Sequence, residues 1–382
     1  MDAARPQVIS AGRVITPSGD LTPGSVEISD GRIAAVRAGV ATEADLAVPD
    51  GVLAPGLIDL QINGAAGVDF LSPVTGAALT RLRRYLASTG VTAFLPTLIT
   101  SPPALLQRAL RSWQRAMHEP GAPRIVGVHL EGPYLNRQFK GAHPLRYLRA
   151  PDARHAAALL DAVSDTVRLV TLAPELPGAT AVIRALRERG CVVAAGHTAA
   201  TYEQARAAFG AGVTLVTHLF NAMRPVHHRD PGIVVAALEH PQVSVSLIAD
   251  FIHVHPAVVA LAVRLARERV ALITDAIAAA GASQRVTRLG TRTVRVTDVP
   301  RLSDGTIAGS MLSMDAAVRH VVSMGLSVRD AVLMASSIPA RLLGRDDLGR
   351  IEVGKPADLV VLTRELRVRA VYASGERIFG AA

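Results

Sequence analysis

The chain has 382 residues, about half of them apolar, one cysteine and a net charge of +9. A single cysteine, Cys191, excludes an internal disulfide and a thiolate metal cluster, and the length allows a large barrel with a smaller domain beside it. The charge comes from 39 Arg and only two Lys, Lys140 and Lys355, scattered without a basic block; this argues against a nucleic-acid partner but leaves a small anionic substrate compatible.

No apolar run approaches the roughly 18 residues of a membrane span, and the N-terminus lacks the basic and apolar regions of a signal peptide. A soluble, cytoplasmic protein without membrane contact is therefore expected. Residues 1–53 alternate apolar and polar side chains over 8–15, 25–29 and 32–36, with turn signals between them, the pattern of short strands in hairpins. The rhythm then changes to apolar runs alternating with helical segments. The runs 56–62, 92–98, 124–130, 167–173, 191–195, 213–217, 243–248 and 270–274 read as strands buried on both faces. Helices are predicted over 76–88, 103–117, 179–189, 202–211, 256–267 and 313–324.

Eight such strands predict a (β/α)8 TIM-like barrel across 54–347. A doubly wound open sheet competes, but no glycine-rich phosphate fingerprint follows any strand. The end of the chain returns to hairpin pattern over 358–362, 368–373 and 377–379. Neither end can bury a face alone, so residues 1–53 and 348–382 are expected to pair into one small β-sandwich domain.

A polar residue just beyond a parallel strand lies where α/β folds place their chemistry. These ends carry Gln61 and Asn63, Glu131, Glu175, His197, His218, Asp250 with His253, and Asp275. Glu131, His197 and His218 make one carboxylate and two imidazoles, the set that leaves a hydrolytic metal ion an open position for water. Asp275 can move a proton between that water and a leaving nitrogen, or simply cap a following helix. His129 points the same way as Glu131 by strand alternation, to orient the site or to pack. His143, in the loop Lys140-Gly141-Ala142-His143-Pro144, is either a donor to a substrate carbonyl or a solvated histidine. The segment His227-His228-Arg229-Asp230-Pro231-Gly232 suits a phosphate, although a solvated charged loop is the plainer reading of those residues alone.

Taken together and in order, these segments resemble the N-acetylglucosamine-6-phosphate deacetylases of the amidohydrolase superfamily. The likeness runs from Leu53-Ala54-Pro55-Gly56-Leu57-Ile58-Asp59 to Gly354-Lys355-Pro356-Ala357-Asp358-Leu359, through His129-Leu130-Glu131-Gly132-Pro133-Tyr134, Gly196-His197-Thr198, Thr217-His218-Leu219-Phe220-Asn221-Ala222-Met223 and Thr274-Asp275-Ala276. The resemblance implies release of acetate from N-acetylglucosamine 6-phosphate. It implies a divalent ion, Zn2+ first with Fe2+, Mn2+ or Co2+ as alternatives, held by Glu131, His197 and His218. Asp275 becomes the general acid/base and His143 the group that polarises the acetamide carbonyl. Asn221, Ala222 and Met311 meet the sugar, and Arg229, His228 and His253 the phosphate, with the arginine supplied across a homodimer interface. Many superfamily members carry His-x-His where this chain has Gln61-Ile62-Asn63, so one ion per subunit is expected. The same fold could instead serve N-acetylgalactosamine 6-phosphate, an unphosphorylated N-acyl amino sugar or an N-acyl-D-amino acid; a non-catalytic barrel is the rival from another class.

Overall fold

A computed structural model describes residues 5–163 and 165–380. Apolar side chains on both faces of a strand require cover on both sides, and the chain supplies it with helices outside and a packed interior. Eight parallel barrel strands result, Leu57–Ile62, Val91–Ile99, Val128–Glu131, Val167–Leu172, Val192–Ala195, Leu215–Val216, Ser244–Ile248 and Val270–Ile273, and the expected run 124–130 is divided, its start forming a short strand Arg124–Ile125 that also pairs in parallel with Val91–Ile99. From Val91–Ile99 onward they pair in chain order, and Leu57–Ile62 lies against Val91–Ile99. The first and last strands meet without a regular ladder. There the Asp275 N–H donates to the Gln61 carbonyl at 2.8 Å, and the Thr274 hydroxyl donates to the Asp59 carboxylate.

Local signals set the helices. Tyr202–Ala211 opens with a capping box, in which the Thr201 hydroxyl accepts from the Gln204 N–H and the Gln204 side chain accepts from the Thr201 N–H. Pro103–Met117 begins with proline, which needs no hydrogen-bond acceptor at a helix start. Its Trp113 is buried against Phe70 and Phe94 and donates its indole N–H to the Phe70 carbonyl at 2.8 Å. Four further helices, Ala153–Asp161, Gly232–Glu239, Val328–Met334 and Ser337–Leu342, join the six expected.

Both ends of the chain enter one eight-stranded sheet. Leu46–Pro55 runs parallel to Gln7–Thr16 and antiparallel to Leu359–Leu362, so the two ends are hydrogen-bonded to each other. This sheet surrounds its own core, which includes Ile9, Val26, Leu53, Leu359 and Tyr372. A feature the strand–helix rhythm does not anticipate is an antiparallel insertion, Val286–Leu289, Arg292–Val296 and Pro300–Arg301, between the last barrel strand and the helix Met314–Ser323. No helix among the described residues is long and apolar enough to cross a membrane.

Candidate active site

The barrel brings its strand-end residues to one point. Glu131 ends its strand, while His197, His218 and Asp275 each lie two residues beyond theirs. Those last three take left-handed backbone angles, with φ of 49°, 32° and 48°. For residues other than glycine such conformations cost on the order of 1–3 kcal/mol each and persist where the surroundings over-determine them. Glu131 Oε1, His197 Nε2 and His218 Nε2 stand 3.0–3.2 Å from one another, all three side chains buried. His143 Nε2 faces the other carboxylate oxygen of Glu131 at 3.4 Å.

Backbone groups decide what each imidazole presents. His197 Nδ1 lies 2.9 Å from the Phe139 carbonyl, which only accepts, so Nδ1 carries the proton and Nε2 offers a lone pair. His143 is the reverse: the Thr100 N–H donates to its Nδ1 at 3.3 Å, leaving the proton on Nε2. Thus His197 is set up as a ligand and His143 as a donor, although Glu131, His143 and His197 also bring ligand-type atoms within 4.8 Å of one another. His218 Nδ1 is buried without a hydrogen-bond partner among the described residues. A tetrahedral ion with ligands at about 2.0–2.1 Å has ligand–ligand edges of about 3.3 Å. The Glu131, His197 and His218 atoms fit that spacing and the donor set suits a divalent cation.

Electrostatics agree with this division. Burial works to raise the Glu131 carboxyl, but its close contacts with His143, His197 and His218 hold it well below the usual range. Burial, reinforced by the neighbouring His197, lowers His143 to about 4, so the ring is neutral near pH 7. Burial lowers His218 as well, yet Glu131 outweighs it and the net direction is upward, so a cation bound there would compete with a proton. Asp275 is raised to about 6 by burial and then by the negative charge of Glu131. Its Oδ1 accepts from Asn63 Nδ2 at 2.6 Å and from Gln61 Nε2 at 3.4 Å, and the same Gln61 nitrogen donates to Glu131 Oε1 at 2.9 Å. The Thr217 hydroxyl donates to Gln61 Oε1 and so fixes that amide.

Above these groups opens a cavity of about 500 Å³. Its walls are the 138–143 loop, Asn221, Ala222 and His253, faced by Leu289, Thr306 and Ile307 from the insertion and the loop after it.

Residues 52–378 match the amidohydrolase family. The chain belongs to that family. It is 40% identical over 375 residues to an N-acetylgalactosamine-6-phosphate deacetylase of Escherichia coli O157:H7, an alignment covering 97% of this chain and 98% of that protein. To the human N-acetylglucosamine-6-phosphate deacetylase it is 41% identical over 343 residues, 86% of this chain and 84% of the other. Among solved structures, the N-acetyl-D-glucosamine-6-phosphate deacetylase of Mycobacterium smegmatis, determined in complex with N-acetyl-D-glucosamine-6-phosphate, superposes with a TM-score of 0.93 at 39% identity, covering 98% of this chain and all of the other.

Within this amidohydrolase the other expected site residues divide into two groups. Asn221, Ala222 and His253 line the cavity, and His253 is oriented by an Nδ1 contact to Asp250 Oδ2 at 2.7 Å. His228 and Arg229 are exposed, pair with each other at 2.7 Å, and lie outside the cavity lining of the single chain. Met311 is 43% exposed and also outside it, although the nearby Ile307 and Gly309 line the cavity. Glu175 serves the scaffold, accepting from the Asn136 amide, the Thr198 hydroxyl and the Ala199 N–H. His129 lies one layer below the site, between the Thr97 and Thr171 hydroxyls, and burial lowers it to about 3. Thr100 and Phe139, which set the two tautomers, carry no signal in sequence because they act through their backbones.

Proposed function

We propose that this amidohydrolase removes the acetyl group of N-acetylglucosamine 6-phosphate, giving glucosamine 6-phosphate and acetate. The observation that carries the reading is the convergence of three ligand-type atoms with a carboxylate, Asp275, and an imidazole N–H donor, His143, under one cavity. Glu131, His197 and His218 hold one divalent ion per subunit, Zn2+ by preference, with Fe2+, Mn2+ and Co2+ suited to the same set. Such an ion, when bound, lowers the pKa of water to about 7 and polarises a carbonyl.

The chain's own groups do the rest. Asp275 takes the proton of the attacking water and hands it to the leaving nitrogen. His143 donates its Nε2–H to the carbonyl oxygen as negative charge grows there, an interaction that strengthens in the transition state. Gln61 and Asn63 turn N–H donors toward Glu131 and Asp275, which favours a single ion. Asn221 and Ala222 meet the sugar, and His253 together with Arg229 and His228 of a second copy holds the phosphate, making the active form a homodimer. A phosphorylated sugar does not cross membranes unaided, so the reaction belongs in the cytoplasm.

The test is kcat/KM for acetate release from the 6-phosphate gluco compound, its galacto epimer and the unphosphorylated sugar. A preference of about a hundredfold for phosphorylated gluco substrate, near 3 kcal/mol in transition-state binding, is expected. Equal rates with and without phosphate would sink the phosphate assignment. The galacto epimer is the second reading, favoured by the near full-length alignment with the Escherichia coli O157:H7 protein.

A further inference from the structure

One fully buried acid takes no part in the chemistry above. Asp59 has no exposed surface and lies two residues before Gln61, with its carboxylate turned to Thr274 of the last strand end. Barrel interiors are ordinarily filled by branched apolar layers. Here the layer beneath the site is polar, with Thr97 and Thr171 holding His129, Thr217 meeting Ser246, and Asp59 meeting Thr274. Among the described residues Asp59 forms no ion pair, and the charge that acts on it is a like one, that of Asp275. A carboxyl in such a place costs stability that an apolar residue would not.

Its contacts show what it holds. Asp59 Oδ1 accepts from the Gln61 N–H at 3.2 Å and the Thr274 N–H at 3.3 Å, while Oδ2 accepts from the Thr274 hydroxyl. One carboxylate therefore grips the first and last barrel strands at the seam where no regular ladder joins them. Thr274 passes the grip on: its Oγ1 accepts from the Ala276 N–H at 3.2 Å, and its carbonyl accepts from the Ser310 hydroxyl. The residues on either side of Asp275 are tied down, and Asp275 itself sits at φ of 48°.

We propose that Asp59 is a positioning residue for Asp275: acting through Thr274, it clamps the left-handed turn that keeps the Asp275 carboxylate against Asn63 and Gln61 at the floor of the cavity. This rests on the acid/base reading of Asp275, so the test includes that residue.

Thr274→Val removes the hydroxyl at nearly constant volume, Thr274→Ser keeps it, and Asp59→Ala removes the clamp itself. On metal-loaded full-length protein, Thr274→Val is expected to lower kcat by roughly thirtyfold, with KM within about twofold, since misplacing a catalytic group by about 1 Å can cost a hundredfold. Metal content stays unchanged, and the acid limb of the kcat profile moves by about half a pH unit or more, because the surroundings of Asp275 change. Asp59→Ala behaves alike where it folds; Thr274→Ser stays within about threefold of the parent. The positioning role is overturned if Thr274→Val keeps its kcat and acid limb while Asp275→Asn is inactive, or if Thr274→Ser fails to recover what Thr274→Val loses. Normal turnover by Asp275→Asn would instead remove the acid/base reading and this inference with it.

Discussion

His143 and His218 look alike in sequence, a histidine in a loop beyond a barrel strand, and differ in what the backbone does to them. Because the Thr100 N–H occupies His143 Nδ1, its Nε2 carries a proton and cannot ligate, whereas His218 Nε2 sits 3.0 Å from Glu131 Oε1 with no donor bound to its other nitrogen among the described residues. Equilibrium dialysis should therefore find about one ion on His143→Ala and a loss of affinity of at least roughly a hundredfold on His218→Ala. An equal loss in both would mean that His143 is a ligand. Asp59 contributes its own pH dependence to stability, being raised to about 7 by burial despite the hydrogen bonds from Thr274 and Gln61. With a folded-state value above the unfolded one of about 3.9, the protonated acid favours the fold, and that contribution is lost as pH rises through about 7. Urea unfolding should show Asp59→Asn gaining on the parent as pH rises from about 5 to 8. Parallel profiles would count against the shift.

At the scale of elements, what could be read in the sequence was whatever had to be buried on both faces or followed a helical period. Val91–Ile99 is buried at every position, and the start of Tyr202–Ala211 is fixed by the capping box that the structure shows between Thr201 and Gln204. The insertion Val286–Leu289 and Arg292–Val296 escapes because it buries only alternate residues and carries Arg288, Arg292 and Arg295 between them, so it lacks the apolar density of a barrel strand. Yet it faces the cavity through Leu289, and its turn is tied to the barrel by Asp69, which accepts the Gly290 N–H at 3.1 Å. The residues that converge at the site were legible because strand ends are; the imidazole tautomers were not, because any residue's N–H or carbonyl serves. Gly309, in the loop after the insertion, shows how tightly this layer is fitted. A Cβ there would lie 2.5 Å from Ile277 Cγ2 and 2.8 Å from the Asp275 carbonyl oxygen, at φ of 68°. Gly309→Ala should cost about 1–3 kcal/mol and shift Asp275, lowering both Tm and kcat. Unchanged values in a scanning calorimeter and in turnover would show that the loop yields.

For the whole molecule, both chain ends meet in one sheet through Leu46–Pro55 and Leu359–Leu362, so the barrel is bracketed by a sheet to which both ends contribute. The barrel gathers the ligand-type atoms, Asp275, His143 and His253 around one cavity, whereas His228 and Arg229 are exposed and outside the cavity of their own chain. A dimer in which each cavity borrows Arg229 from its neighbour makes a prediction that no monomeric enzyme can meet. Asp275→Asn fails in its own barrel but still donates Arg229; Arg229→Ala keeps its barrel but donates nothing. In a heterodimer of the two, one of the two cavities combines an intact Asp275 with an intact Arg229. Co-refolding equal amounts of the inactive variants gives half heterodimers, each with one complete site, so activity should recover to about a quarter of the parent. Size-exclusion chromatography with light scattering establishes whether dimers are present at the assay concentration. Recovery near a quarter requires a shared site, whereas dimers that stay inactive would place the phosphate arginine elsewhere in the chain.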